Sequence, residues 1–490
     1  MADIENGKHD DSDEGNVLSG KAVSRREFLK IAGIAGASIG VGAGLGGLVA
    51  ACGGSTTTTT TGAATTQSTT ATTSAASSTT ASSTTVSSTA TTGREVKIGY
   101  VTPVTGSIAA FGQADKFCAD LWSAAIGDGL VLGDGQKHPI SFQIQDSQSD
   151  SMRASQVAGD LIQNTKVDII MASASPDTVN PVADEAEAQS TPCITTDCPM
   201  EPYYFGRGAT PDKPFKWTYH AFWGLTQIEN VSLSLWEQYT TNKVVGACWP
   251  NNTDGNAYRD AYPPFITKNG YKLIDGGKYP EPNEDFTSII SNFRNGGAEI
   301  FTGLMIPPDF SNFWKQANQQ GFKPKVMDLA KAVLFPASME ALGSIGYNIS
   351  GPMFWHPTFP FTSPLTGNTC QQVADEWEAK NNSMWQQTLL HHVLGDWATD
   401  VLKRTKNVDD KEEIVANIAA TNMPQSIAGP LDFTAPVDMA GLHPVKNVVV
   451  TPLYGGQWIK GTKFPFDIVI VSNPNKNAVT VQAKLVPINP

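Results

Sequence analysis

From residue 94 onward the chain lacks the short signatures that announce catalysis. It has no G-x-S-x-G elbow, no H-E-x-x-H, no P-loop and no C-x-x-C-H, which removes the usual sequence grounds for a hydrolase, a zinc protease, a nucleotide-driven enzyme or a haem protein. Basic charge is in short supply, with 34 Lys and Arg against 47 Asp and Glu. Five basic and seven acidic residues precede Cys52, so the remainder carries about −11, a balance that argues against a nucleic-acid partner and against adhesion to anionic lipid. Long apolar runs are scarce as well. The one candidate, Ile31 to Ala51, is crowded with glycine and poor in Leu and Phe, unlike a membrane span. Within it, Gly40 to Gly46 superficially matches a dinucleotide loop, but no strand precedes it and no acidic residue sits at the ribose spacing.

What is present begins with an address. Ser24-Arg25-Arg26-Glu27-Phe28-Leu29-Lys30 reads as a twin-arginine export signal, and the apolar run after it ends in Val49-Ala50-Ala51-Cys52, which resembles a lipobox. Residues 1–51 are therefore expected to be a signal peptide and Cys52 the lipidated N-terminus of the exported protein. Residues 52–93 are almost entirely Thr, Ser and Ala, with too little apolar surface to offset the entropy of ordering. A flexible coil of that length holds its ends on the order of 35 Å apart, a leash between membrane and body; a glycosylated stalk is the alternative. The expected place is outside the cytoplasmic membrane, periplasmic or at the cell surface.

Beyond residue 94 apolar strands alternate with amphipathic helices. Val96–Val101, Ile140–Gln145 and Val167–Met171 read as strands, separated by helices over Gln113–Ile126 and Ser151–Asn164, with another at Thr178–Ala188. The pattern restarts near residue 221, with strands at Val244–Trp249, Tyr271–Ile274, Glu299–Leu304 and Lys325–Leu329. Such alternation means crossover connections and parallel sheets, and two sets in about four hundred residues predict an α/β chain with two Rossmann-like lobes. A helical supplement at Asn368–Lys380 and Thr388–Thr405 suggests a return to the first lobe. Cys118, Cys193, Cys198, Cys248 and Cys370 are odd in number; Cys193 and Cys198 are close enough to pair, with a metal pair as the rival reading.

Several segments in order resemble the leucine/isoleucine/valine-binding proteins, a branch of the type I periplasmic solute-binding proteins of ABC transporters. They are Ile98-Gly99-Tyr100-Val101-Thr102-Pro103-Val104-Thr105-Gly106, Phe111-Gly112, Asp146-Ser147-Gln148-Ser149-Asp150, Ala172-Ser173-Ala174-Ser175, Asp285-Phe286-Thr287 and Gly429-Pro430-Leu431-Asp432-Phe433. The resemblance runs from about Val96 to about Tyr454. It implies a type I periplasmic binding protein fold, two lobes joined by a three-strand hinge and closing on a small solute. Lobe 1 would be 94–220 plus 351–444, and lobe 2 would be 221–350 plus 445–490. It also implies a monomer that binds a branched-chain amino acid, an amide or an organic acid without bond chemistry or cofactor, and delivers it to an ABC permease and its ATPase. A tethered sensor of the same fold, or an exported cofactor-bearing enzyme, are the competing classes.

The resemblance points to Phe111 beside Gly112, to Ser173, Ser175 and Thr178 for a ligand carboxylate, and to Thr195 and Asp197 as further polar groups; Ser and Thr before a helix are also ordinary caps. In the second lobe the chain departs from the pattern. Asp254-Gly255 stands where a tyrosine before glycine is common, and Ala330-Lys331 where an acid that pairs with a ligand ammonium is placed. A buried ammonium needs a carboxylate. Either Asp254 or Asp328 replaces that acid, or Lys331 receives a second ligand carboxylate, or Lys331 is a solvated surface residue. Trp249 is the favoured stacking aromatic, ahead of Trp217, Trp223 and Trp355, and Met305 completes the candidate set. His391, His392 and Asp396 are spaced for a metal, but a core-edge role on a helix is the simpler reading, and no metal is expected.

Overall fold

The computed structural model describes residues 92–439 and 442–488. The twin-arginine segment, Cys52 and nearly all of the tether lie outside the described residues. Among the described residues no helix is long and apolar enough to cross a membrane.

Thirteen strands form two sheets. The first contains β1 (Val96–Thr102), β2 (Ile140–Asp146), β3 (Ile169–Ala172), β4 (Cys193–Thr195) and β5 (Thr218–Phe222). The second is built from β6 (Val244–Pro250), β7 (Lys272–Tyr279), β8 (Ile300–Met305), β9 (Val326–Lys331) and β10 (Ser350–Met353). Then β11 (Val448–Val450) returns to the first sheet, while β12 (Tyr454–Lys460) and β13 (Phe466–Ser472) complete the second. The orders are β11-β5-β4-β3-β1-β2 and β13-β12-β10-β9-β8-β6-β7. All pairings in the first sheet are parallel; in the second only those involving β12 are antiparallel.

Composition explains the positions. The central strands β3 and β8 are buried along their whole length, as strands covered on both faces by crossover helices must be. The edge strands β2 and β7 mix polar and apolar residues and are half-exposed. In each lobe the strand order reverses beside the first strand, between β1 and β3 and between β6 and β8. At such a reversal the loops leaving the carboxyl ends diverge and open a crevice.

The chain passes between the lobes three times, after Phe222, after Met353 and after Val450. Two boundaries expected from sequence are corrected here. Ser350 pairs with Asp328 and Met353 with Tyr454, so the strand at 350–353 belongs to the second sheet, not the first lobe. Conversely, Val448–Val450 pairs with His220–Phe222 in the first. Cys193 and Cys198 are not paired: all five cysteines among the described residues are free and buried, these two within one small core of the first lobe.

Residues 370–419 pack as helices on the first lobe. The expected single helix over 388–405 is a 3-10 turn at Gln387–His392 running into α-helix Val393–Arg404. It docks on the helix Asp115–Ile126, where fully buried Trp122 donates from Nε1 to His392 Nδ1 at 2.8 Å. Gly395 permits the approach, because a Cβ there would lie 2.3 Å from Trp122 Nε1. Gly395→Ala is therefore expected to overpack this contact and destabilise the protein by about 1–3 kcal/mol. An unchanged urea-unfolding midpoint would contradict this packing.

Candidate functional site

The carboxyl ends of the two sheets face one another across a narrow cleft. Its walls include Phe111, Ser175, Asp197 and Phe222 from the first lobe, Trp223 at the first crossing, and Asp254, Tyr258 and Lys331 from the second. The free space between them is about 30 Å³.

Backbone geometry sets this arrangement. Ala174, Ser175 and Asp197, at the ends of β3 and β4, have φ of 75°, 68° and 56°, and Lys331, the last residue of β9, has 66°. For residues with a Cβ this left-handed region costs on the order of 1–3 kcal/mol each, and such outliers concentrate at functional sites. Ser175 N–H donates to Asp197 C=O at 2.7 Å, tying two of the strained positions together.

Asp197 is braced from behind. His391, fully buried, donates through Nε2 to Asp197 Oδ2 at 2.9 Å and through Nδ1 to Asp115 Oδ1 at 2.5 Å. Asp115 also accepts from Thr102 Oγ1 and, at 3.2 Å, from Ser173 Oγ, which is itself 2.8 Å from Tyr100 OH. Two carboxylates thus share one imidazolium. Burial pulls the imidazole down, but Asp115 and then Asp197 outweigh it and its pKa is pushed up to about 10. For Asp197 burial dominates and holds the carboxyl above its usual range, with His391 pulling the other way.

The second lobe supplies a buried ion pair. Lys331 Nζ lies 2.9 Å from Asp254 Oδ2, with the side chains 7% and 2% exposed. The contact is one of charge rather than of an aligned hydrogen bond, and Nζ has no hydrogen-bond partner among the described residues. Burial alone would lower the Lys331 pKa; Asp254, Glu281 and Asp177 reverse the direction and raise it. Asp254 is pushed up by burial and drawn back by Lys331. Lys331 is therefore neither solvated nor at the surface.

Of the residues expected at the site, Phe111, Ser175, Asp197, Asp254 and Lys331 come together in the cleft. The other expected residues do not line this cleft. The Ser173 hydroxyl is committed to Asp115, and Thr178 Oγ1 lies 3.3 Å from Ser147 Oγ in the body of the first lobe. Thr195 Oγ1 bonds His220 Nδ1 at 2.8 Å. Trp249 packs beneath the cleft against Tyr262, with Arg259 over its ring, and Trp223 is the tryptophan that reaches the wall. Met305 is fully buried and pairs with Lys331 in the β8–β9 ladder. Asp328 is occupied by Ser232 and stays out of the cleft. Among the described residues no group of His, Cys, Asp and Glu could hold a metal. His391 and His392 face different partners, and Asp396 bonds Ser363 and the Ile427 N–H.

The imidazolium brace has a measurable signature. A group whose pKa is raised in the folded state, from about 6.5 to about 10 here, adds stability that is complete below the unfolded value and is lost as pH rises through the folded one. Melting temperature is expected to fall between pH 6.5 and 10, and His391→Gln to remove that part of the slope. Parallel profiles for the two proteins would contradict a charged His391.

A family model described as periplasmic binding protein matches residues 95–462. Among solved structures, the branched-chain amino acid transporter substrate-binding protein LivJ from Streptococcus pneumoniae, in complex with isoleucine, aligns with a TM-score of 0.59 at 18% identity over 77% of this chain and 99% of that one. LivK, a leucine-binding protein from Thermotoga maritima, gives 0.61 at 17% identity over 78% and 100%. A solute-binding protein of an ABC transporter from Rhodopseudomonas palustris, in complex with 3,4-dihydroxy benzoic acid, gives 0.61 at 16% identity over 78% and 99%. No curated protein sequence matches the chain. With two α/β lobes, three crossings and a cleft at the strand ends, the chain belongs to the periplasmic binding protein family.

Proposed function

We propose that the chain is an extracytoplasmic solute receptor of an ABC importer. It captures a small polar solute between its lobes by closing about the three crossings at residues 222–225, 353–370 and 450–454, and hands it to a membrane permease driven by an ATPase. The observation that carries this reading is the cleft itself: buried, charged side chains from both lobes meet at the carboxyl ends of the parallel strands of two sheets, where such folds bind small molecules. Hinge closure around a ligand is an established motion for bilobed binders. The strained backbone at Ala174, Ser175, Asp197 and Lys331 supports the same location.

The solute class is bounded by the walls. Phe111, Phe222 and Trp223 offer apolar and aromatic contact, while Asp197, Asp254 and Lys331 demand polar or charged groups. Relatives in the fold hold isoleucine, 3,4-dihydroxy benzoic acid and 4-hydroxybenzoate, which supports an amino acid, an amide or a small organic acid as the starting panel. The address is the sequence's own: Cys52 as lipid anchor, residues 52–93 as leash, and the body working as a monomer without a cofactor. Five buried unpaired thiols suit a chain that folds before it meets an oxidising compartment.

Two measurements test the proposal. In a thermal-shift screen, one member of the panel is expected to stabilise the protein, by about 2.7 kcal/mol at a hundredfold excess over its dissociation constant, and to be recovered unchanged after long incubation. Conversion of the bound compound would replace a receptor with an enzyme. Independently, Cys52→Ala is expected to move the exported protein from the membrane fraction to the soluble one. Retention in the membrane would remove the lipid anchor from the account.

A further inference from the structure

Like charges face one another across the cleft. Asp197 stands at the end of β4 in the first lobe, and Asp254 in the first turn of the helix Thr253–Lys268 in the second. Both line the same space, 5% and 2% exposed. Lys331 is the one cationic residue lining it among the described residues. Lys331 meets Asp254 Oδ2 only, and Asp254 Oδ1 is buried without a hydrogen-bond partner. More acid lies behind: Glu281 Oε2 and Asp309 Oδ2 are likewise buried and unpartnered. Asp197 is held in place at the seam by His391, which donates to its Oδ2. Burial is the main influence on both cleft carboxyls; His391 draws Asp197 back while Asp115 and then Asp254 add to the rise, and Lys331 draws Asp254 back while Asp177 adds to it.

This imbalance decides the sign of the missing partner. Closing two lobes that carry buried carboxylates brings like charges together in a low-dielectric space, which opposes closure unless a cation lies between them. An anionic solute would find three buried carboxylates, Asp115, Asp197 and Asp254, against two cations already paired with them, His391 and Lys331. A cationic one would find Asp254 Oδ1 open on one side and Asp197 on the other, within walls of Phe111, Phe222 and Trp223 whose ring faces also attract cations. Trp223 Nε1, a donor without a partner, remains for one acceptor on the solute.

We infer that the cleft selects a solute of net positive charge, a diamine, an amidine or a basic amino acid, whose cationic group is held between Asp197 of the first lobe and Asp254 of the second. This deepens the receptor reading above and rests on it. Lys331 occupies part of that acidic seam and competes with the solute for Asp254.

The test is calorimetric titration of the full chain with putrescine and lysine as cations, isoleucine as a net-neutral solute and 4-hydroxybenzoate as an anion. Binding is expected from a cation and not from the other two, at least tenfold weaker in Asp254→Asn and in Asp197→Asn, and tighter in Lys331→Met. Isoleucine or 4-hydroxybenzoate binding where both cations fail would overturn the charge inference and leave the receptor reading standing. Silence from all three classes would overturn both. Should the Asn variants not fold, Lys331→Met decides: cation binding weaker than in the unsubstituted protein would sink the inference.

Discussion

Lys331 and Asp254 meet at 2.9 Å in a place almost without water, at the seam where one lobe of the molecule faces the other. Removing two charges from water costs several kcal/mol per ion, and their mutual attraction returns that only if the remaining donors and acceptors are satisfied. Here they are not: Nζ and Oδ1 both lack hydrogen-bond partners among the described residues. A pair so poorly satisfied adds little to the fold by itself. It makes sense at a surface that another molecule completes, and the remaining features of the cleft fit around that condition.

The fold delivers this seam through topology rather than local sequence. Two sheets whose first five strands share one order point their carboxyl ends at one another, so every loop that follows one of these parallel strands contributes to one of two opposed rims. At those rims Ser175, Asp197 and Lys331 adopt left-handed backbone conformations that turn side chains into the gap. Strain of that kind persists only where neighbours hold it, and the first lobe shows how. Asp115, Ser173, Tyr100 and Thr102 form a buried polar network whose imidazolium reaches Asp197 from the side away from the cleft. His391 arrives on the segment that crosses back to the first lobe, so the wiring of the chain and the bracing of the site are one arrangement.

Strand and helix alternation was plain in the sequence, because strands such as Ile169–Ala172 and Ile300–Met305 are mostly apolar and are bounded by amphipathic helices. Asp254 and Lys331 were legible for a different reason: each departs from a family pattern at a strand end. The missed elements share one cause, dependence on partners distant in the chain. Ser350–Met353 and Val448–Val450 are short strands that either sheet could accept by composition, and pairing alone assigns them. Trp249 sits near a strand end as expected, yet its side chain faces the core beneath, a parity that composition does not reveal. Ser173 follows its strand with a hydroxyl that reads equally as ligand contact or cap, whereas in the fold it bonds Tyr100 and Asp115. His391 read as a helix-edge or metal residue because Asp115 and Asp197, its partners, lie in the other half of the chain.

The central claim is mechanical: two lobes approach one another when a solute fills the seam. Because the native thiols of residues 92–490 are buried, labels can be placed on introduced cysteines at the exposed positions Met152 in the first lobe and Glu284 in the second. The distance between spin labels at these sites should shorten and narrow in distribution when a solute that stabilises the protein is added. A distribution that does not change while that solute is bound would contradict closure and, with it, this account of the cleft.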